Sequence, residues 1–257
     1  MPAPLNILKQ RLAAGTVSHG IWLGLADSYT AEIAATAGFD WLLIDGEHAP
    51  NDIRSLSAQL AVVRASGSAA IVRLPDDDPA KIKQALDIGA QSLLIPLVDS
   101  AEQAARAAKA CRYPPEGFRG VGSALARASD FSAIPDYLTT ANAEICLIVQ
   151  VETRAGLAAL DEILTVEGVD GVFIGPADLA ADMGHLGDAE HPEVRAAILD
   201  ALARIRAAGK APGILTLEPG FIAECEAAGA TFVGVGIDVL LFAGALRSLA
   251  ARHVRRG

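Results

Sequence analysis

Residues 145–178 read ICLIVQVETRAGLAALDEILTVEGVDGVFIGPAD. In this stretch an apolar run ends in Gln150 and Glu152, a helical pattern follows, and a second apolar run leads to Gly175 and Asp178. Runs of Leu, Ile and Val without alternation indicate strands buried on both faces, which is typical of a parallel sheet covered by helices. The stretch therefore predicts a β-α-β unit in which both strands end in polar residues.

The same alternation extends along the whole chain, where Ala-rich amphipathic stretches separate short apolar runs. The predicted strands cover residues 20–24, 41–45, 69–74, 92–96, 145–152, 171–175, 212–216 and 232–237. Eight such units in about 250 residues favour a single (β/α)8 TIM barrel over residues 1–257. A doubly wound sheet is the alternative, but it usually has fewer strands and often a GxGxxG turn, which this sequence lacks.

Composition excludes several classes of protein. Hydrophobic residues make up 52% of the 257 residues and charged residues 20%, which excludes a disordered chain. The net charge of −10 disfavours nucleic acid as a partner, because proteins that bind it usually present a basic face. Three cysteines without a CxxC spacing disfavour a disulfide framework. With no signal-peptide pattern and no run of 18 apolar residues, we expect a cytoplasmic protein without a membrane partner.

Polar residues at the predicted strand ends are the candidates for catalysis, because barrels of this type carry their active sites at the C-terminal ends of the strands. The second strand ends in Asp45, followed by Glu47 and His48, and the third ends in Arg73. None of the five lysines lies at such an end. A mechanism through a lysine Schiff base is therefore disfavoured.

Glu152 and Asp178 are the best candidates for metal ligands. Two carboxylates together with water and substrate oxygens suit a hard cation such as Mg²⁺ or Mn²⁺. The alternative is that each carboxylate only caps the helix that follows it. Asp178 stands at a predicted helix start after Gly175, Pro and Ala177, where free backbone N–H groups offer a place for a substrate carboxylate.

Asp45, His48 and Arg73 form a second group of candidates. If Asp45 and His48 both face the site, the carboxylate can hold the imidazole and favour its charged form. Arg73 ends an apolar strand, where it serves either as a cation for a developing enolate oxygen or as the partner of a strand-end acid. We expect Glu47 to make a structural hydrogen bond. Trp22, Phe173 and Leu215 are candidates for the pocket wall, Phe173 being more typical of a core residue.

Four motifs resemble one known family. They are FDWLLIDGEHAPND at 39–52, YPPEGFRGVG at 113–122, VQVETRAGL at 149–157 and GVFIGPADLAADMG at 171–184. In this order and spacing they resemble the metal-dependent (class II) pyruvate aldolases of the HpcH/HpaI type, whose best-known activity is that of 4-hydroxy-2-oxoheptanedioate aldolase. The resemblance covers almost the whole chain.

The resemblance implies a (β/α)8 barrel that exchanges its last helix between subunits of a hexamer. It implies a divalent metal, Mg²⁺, Mn²⁺ or Co²⁺, on Glu152 and Asp178. It also implies a base at His48, oriented by Asp45 and acting directly or through a water on the metal. Arg73 corresponds to the cation that stabilises the enolate.

Further site residues follow from the resemblance alone. Asp87 matches an aspartate that reaches into the site of a neighbouring subunit. The remaining positions surround pyruvate or the aldehyde, and they are Trp22, Gln150, Gly175, Ala177, Asp178 and Leu215. The expected reaction forms and cleaves 4-hydroxy-2-oxo acids through a metal-bound pyruvate enolate, with an aldehyde as second substrate. A metal-dependent oxaloacetate decarboxylase, a CoA-ester lyase and a non-catalytic binding barrel remain alternatives.

Overall fold

The computed structural model describes residues 1–254, so the last three of the 257 residues of the expected domain lie outside the described part. Eight strands form a closed barrel in the order β1 to β8, and every neighbouring pair is parallel. The strands are β1 (Ser18–Leu23), β2 (Trp41–Asp45), β3 (Ala69–Arg73), β4 (Ser92–Ile95), β5 (Cys146–Val151), β6 (Gly171–Ile174), β7 (Ala211–Leu215) and β8 (Phe232–Ile237). The expected (β/α)8 barrel is therefore confirmed.

Helices follow the strands along the chain. They are α1 (Ile7–Ala13), α2 (Ser28–Ala35), α3 (Ile53–Val63), α4 (Pro79–Asp87), α5 (Ala101–Ala110), α6 (Tyr137–Thr140), α7 (Arg154–Ala158), α8 (Leu160–Leu164), α9 (Pro176–Asp182), α10 (Pro192–Ala207), α11 (Pro219–Ala227) and α12 (Asp238–His253). Asp27, Asp52 and Asp78 accept hydrogen bonds from the first turns of α2, α3 and α4, which fixes where those helices begin. The stretch AGLAALDEIL forms two short helices, interrupted at Ala159.

The barrel interior is a packed core whose lower end is closed by α1. Leu8 and Leu12 of this helix pack with Trp41 and Phe232 in one buried cluster. Gly20 makes room for this arrangement, because a Cβ there would lie 2.0 Å from the Trp41 ring. A second cluster lies between the strands and the surrounding helices. The interior is thus filled at the N-terminal end of the strands, as in other barrels of this architecture.

Helix α12 differs from the other long helices because none of its residues is buried in the single chain. Its apolar side chains are largely exposed, with Leu241 60% and Phe242 57% accessible. A helix with such a surface normally packs against another element. Over residues 1–254, no helix is long and apolar enough to cross a membrane.

Candidate active site

A cavity of about 470 Å³ opens at the C-terminal ends of the strands, where the sequence predicts the site. Ten of the residues in its wall are ones predicted from the sequence: Trp22, Asp45, His48, Arg73, Gln150, Phe173, Gly175, Ala177, Asp178 and Leu215. The structure thus brings together residues from β1, β2, β3, β5, β6, β7 and the start of α9. Glu152 lies directly behind Gly175, whereas Asp87 lies elsewhere.

Asp45 and Arg73 form the most extensively bonded pair in this cavity, and they are direct neighbours in the β2–β3 register. Arg73 Nε donates to Asp45 Oδ1 at 2.9 Å and Nη2 donates to Oδ2 at 2.5 Å. Trp22 Nε1 also donates to Oδ2, at 3.2 Å. Although burial favours the neutral carboxyl, these bonds from Arg73 outweigh it and lower the pKa of Asp45. Asp45 is therefore ionised at neutral pH beside the guanidinium of Arg73.

The expected contact between the Asp45 carboxylate and the His48 imidazole is absent from the described residues. Asp45 Oδ1 instead accepts the backbone N–H groups of Glu47 at 2.9 Å and His48 at 3.3 Å. Its remaining capacity is taken by Arg73, so Asp45 shapes the turn that carries His48 and leaves the ring free. The His48 side chain is 66% exposed and faces the cavity.

Glu47 has a larger part in the site than the sequence analysis assigns to it. Its Oε2 lies 2.7 Å from Arg73 Nη1 and 3.9 Å from His48 Nε2. Burial raises the pKa of Glu47, and the negative charges of Asp45 and Asp178 raise it further against the opposing effect of Arg73. Arg73 can therefore serve both as the partner of strand-end acids and as a cation for an enolate oxygen, because it is paired with two acids and still lines the cavity. The sequence signal that could have identified Glu47 is an acid on the turn between Asp45 and His48, with an arginine at the end of the next strand.

Glu152 is 1% exposed and is held by two donors. Its Oε1 accepts the Leu97 backbone N–H at 2.9 Å, and its Oε2 accepts from Gln150 Nε2. Burial raises the pKa of Glu152 to about 7, and the charges of Asp178 and Glu47 add to this effect. Leu97 adopts a left-handed conformation with φ of 53°, unusual for a residue with a side chain, and its N–H reaches the carboxylate from that conformation. No sequence signal marks Leu97 as part of the site.

Gly175 allows β6 to approach the buried carboxylate. A Cβ at this position would lie 2.3 Å from Glu152 Oε2 and 2.9 Å from Gln150 Nε2. Gly175 is also the N-cap of α9 and provides no side-chain hydrogen bond to the helix, so the N–H groups of Ala177 and Asp178 remain available to a ligand.

Apolar side chains line the opposite wall. The Trp22 and Phe173 rings pack with centroids 5.4 Å apart, and Arg73 Cζ lies 5.1 Å from the centre of the Trp22 ring. Phe173 is 2% exposed and belongs to the barrel core while its ring also contacts the cavity. Both expectations for this residue are therefore confirmed.

Two groups of interest lie outside the cavity. Asp87 is the last residue of α4, at the opposite end of the barrel from the strand C-termini, and it pairs with Arg119 at 2.7 Å. His185, His191 and Glu193 place possible ligand atoms within 4.8 Å of one another. In this group His185 Nε2 lies 2.9 Å from Glu193 Oε2, and His191 caps α10. These contacts give both histidines a structural role at the start of α10.

Comparison with known proteins shows which family has this sequence and fold. The family model described as HpcH/HpaI aldolase/citrate lyase matches residues 18–245, a range that includes the whole cavity wall. The chain belongs to the HpcH/HpaI aldolase/citrate lyase family. Together with the two named aldolases to which the chain is similar, described next, this identifies it as an aldolase, a carbon–carbon lyase, and disfavours the non-catalytic barrel among the alternatives.

Individual members of the HpcH/HpaI family are similar to this chain over nearly its full length. The hydroxypyruvate/pyruvate aldolase of Roseovarius nubinhibens is 60% identical over 252 residues, or 98% of each chain. The 4-hydroxy-2-oxo-heptane-1,7-dioate aldolase of Salmonella dublin is 55% identical over 96% of this chain and 94% of that protein. A family structure from Burkholderia cenocepacia superposes with a TM-score of 0.92 at 41% identity, covering 96% and 98% of the two chains.

Proposed function

We propose that this aldolase forms and cleaves 4-hydroxy-2-oxo acids, taking pyruvate or a related 2-oxo acid as one component and an aldehyde as the other. The activities after which the relatives are named support this substrate class. The observation that carries the proposal is the meeting of two acids with a buried arginine at one cavity. Glu152 and Asp178 stand on one side, and Arg73 with its bonded acids stands on the other.

Glu152 and Asp178 are the proposed holders of a divalent cation, Mg²⁺, Mn²⁺ or Co²⁺. The negative charge of Asp178 raises the pKa of both Glu47 and Glu152, and that of Glu47 raises the pKa of Glu152 further, so a cation there would relieve like-charge repulsion. Gln150 Oε1 is buried without a hydrogen-bond partner in the described chain, which leaves one more oxygen for a ligand. When bound, such a cation supplies a Lewis acid next to the 2-oxo group of the substrate.

The chain's own groups bind and polarise the 2-oxo acid. The N–H groups of Ala177 and Asp178 hold its carboxylate at the start of α9. Arg73 donates to the 2-oxo oxygen as negative charge develops there, and Asp45 and Glu47 keep its guanidinium in place from behind. Oriented donors of this kind stabilise the enolate without having to reorganise during the reaction.

His48 is the proposed base. During cleavage it takes the proton of the 4-hydroxyl, the C3–C4 bond breaks, and the aldehyde leaves while the electron pair passes into the enolate. Glu47 Oε2 lies 3.9 Å from His48 Nε2 and stabilises the imidazolium that results. In the direction of synthesis the same proton returns to the new hydroxyl. Trp22 and Leu215 provide the apolar wall against which the aldehyde binds.

Assembly into a homo-oligomer, a hexamer in our proposal, would complete this site. Exchange of α12 between subunits would cover the apolar face that the single chain leaves exposed. A neighbouring subunit would also supply Asp87, which lies far from the site of its own chain. We place the enzyme in the cytoplasm, a reducing compartment that suits its buried free cysteines, Cys111, Cys146 and Cys225.

The test is aldol cleavage across a panel of 4-hydroxy-2-oxo acids, with and without added Mn²⁺ or Mg²⁺. We expect pyruvate and an aldehyde as products, and exchange of the C3 protons of pyruvate with solvent in the absence of aldehyde. Release of pyruvate from oxaloacetate without cleavage of any member of the panel would identify a decarboxylase instead.

A further inference from the structure

Arg119 is a fully buried arginine with incomplete hydrogen bonding, an arrangement that a stabilising role in the fold does not explain. It belongs to the irregular segment 112–130, and its side chain is 0% exposed. Nη2 donates to Asp87 Oδ1 at 2.7 Å, while Nε and Nη1 have no hydrogen-bond partner within residues 1–254. The guanidinium stacks on the Tyr113 ring, with Cζ 4.3 Å from the ring centre.

A buried ion pair of this kind is by itself weak evidence for stability. Removing a charge from water is costly, and one partner that is itself 27% exposed compensates for only part of that cost. Two unpaired buried nitrogens add to the cost, because each loses its hydrogen bonds to water. An apolar side chain of similar volume would fill the same space more favourably. The arrangement is therefore better explained by what it does to Asp87.

The contacts around Arg119 fix its guanidinium in one orientation. Tyr113 packs beneath it, and Tyr137 packs edge-on against Tyr113 with ring centroids 6.4 Å apart. The backbone N–H of Arg119 donates to the Arg112 carbonyl at 2.8 Å. Asp87 stands at the end of α4, so the pair joins that helix to the segment. Arg119 occupies Oδ1 of Asp87, and no described side chain or backbone group donates to Oδ2.

We propose that Arg119 is a positioning residue, which holds the Asp87 carboxylate so that its free oxygen projects into the active site of a neighbouring copy of this chain. This inference rests on the proposed function, in which Asp87 acts in a neighbour's site. The same segment exposes Phe118, Val121 and Leu125, with Leu125 90% accessible, so the surface around the pair is apolar as well as charged. A second copy of the chain suits a surface that is both apolar and charged. It would cover the apolar side chains, and its active site would accept the carboxylate.

The experiment uses mixed oligomers, made by co-expressing two differently tagged variants and purified through both tags. Arg119→Met removes the fork but keeps a side chain of similar length. We expect Arg119→Met and Asp87→Ala each to lower kcat/KM, the former about 10- to 100-fold because a misplaced group loses its alignment. His48→Ala is the third variant, and it inactivates the site of its own subunit.

Recovery of activity in the mixed oligomers shows whether Arg119→Met misplaces Asp87 or damages the active site of its own subunit. Arg119→Met mixed with His48→Ala should regain activity, since about one quarter of randomly formed sites combine an intact core with a correctly held Asp87. Arg119→Met mixed with Asp87→Ala should stay at the reduced rate of the single variants, because neither subunit supplies a positioned carboxylate. Arg106→Met is the matched control: it breaks an exposed ion pair with Asp77 and should leave the rate unchanged.

Each remaining outcome overturns one specific claim. If Asp87→Ala mixed with His48→Ala does not regain activity, Asp87 does not act in a neighbouring site and that part of the proposed function fails. If this mixture recovers and Arg119→Met mixed with Asp87→Ala also recovers, Arg119 does not position Asp87. If Arg119→Met does not recover with His48→Ala, it damages its own site and the inference is wrong. Should Arg119→Met fail to assemble, Arg119→Lys keeps the charge without the fork and is expected to give the same pattern with a smaller loss.

Discussion

Replacing Gly175 by alanine tests whether the close approach of β6 fixes the position of the buried carboxylate. The new Cβ would lie 2.3 Å from Glu152 Oε2, whereas ordinary contacts begin near 3.4 Å. The carboxylate must therefore retreat by about 1.1 Å. It has little freedom to do so, because Glu152 is 1% exposed and Gln150, also within 3 Å of the new atom, is 3% exposed.

The expected result has two parts. Overpacking of this kind costs about 1–3 kcal/mol, which for a domain of this size lowers Tm by roughly 2–12 °C. Displacing a ligand by about 1 Å lowers the rate of aldol cleavage about 10²-fold, together with the affinity for the divalent metal. The two parts arise from one movement, so they should appear together in Gly175→Ala.

Calorimetric titration with Mn²⁺, cleavage rates and thermal unfolding measure these effects. Gly67→Ala is the matched control, since a Cβ at Gly67 meets nothing within 4 Å, and it should behave as the wild type in all three measurements. Wild-type metal affinity and rate in Gly175→Ala would show that Glu152 accommodates the methyl group, and the assigned role of the glycine would be wrong.

Four further results are expected. His48→Ala should retain metal binding and lose about 10²–10⁴-fold in cleavage rate; recovery of its rate at high Mn²⁺ would make His48 a ligand. Glu152→Ala should lose metal affinity in a direct titration. Because burial raises the pKa of Glu152 to about 7, the folded metal-free protein binds this proton more tightly than the unfolded chain. Its free energy of unfolding should therefore fall by about 3 kcal/mol as pH rises from 4.5 through 7, and Glu152→Gln should flatten that profile in urea denaturation. A chelator should abolish activity, and borohydride with pyruvate should leave every lysine unmodified; a reduced lysine adduct would contradict the metal-dependent mechanism.

Strand positions are predictable from sequence because burial on both faces leaves an uninterrupted apolar run. The runs at 41–45 and 232–237 match β2 and β8 residue for residue. The first strand begins two residues earlier than expected, at Ser18. Ser18 and His19 are polar, but their backbone groups still join the ladder with β8, and the His19 N–H is satisfied by Asp40. A strand that begins with polar residues cannot be located by searching for apolar runs alone.

The functional residues are predictable as a set because parallel strands deliver their ends to one place. Their pairing is not. Asp45 binds Arg73 and leaves the His48 ring because the β2–β3 register places Arg73 directly beside Asp45. This register cannot be derived from the sequence. Leu97 contributes through a backbone N–H in a left-handed conformation, and side-chain identity says nothing about such a donor. Asp87 is a further example, because one chain alone leaves it far from the cavity.

Closure of the barrel base by α1 has a kinetic consequence. With Leu8 and Leu12 packed against Trp41 and Phe232, the described residues close the interior below the cavity, so substrates reach it from the C-terminal ends of the strands. In the proposed function the 2-oxo acid binds deep, against the start of α9, and the aldehyde binds above it. With that arrangement the deeper component could not leave while the outer one is present. We therefore expect ordered turnover, with the aldehyde released first in cleavage, and competitive inhibition of cleavage by pyruvate.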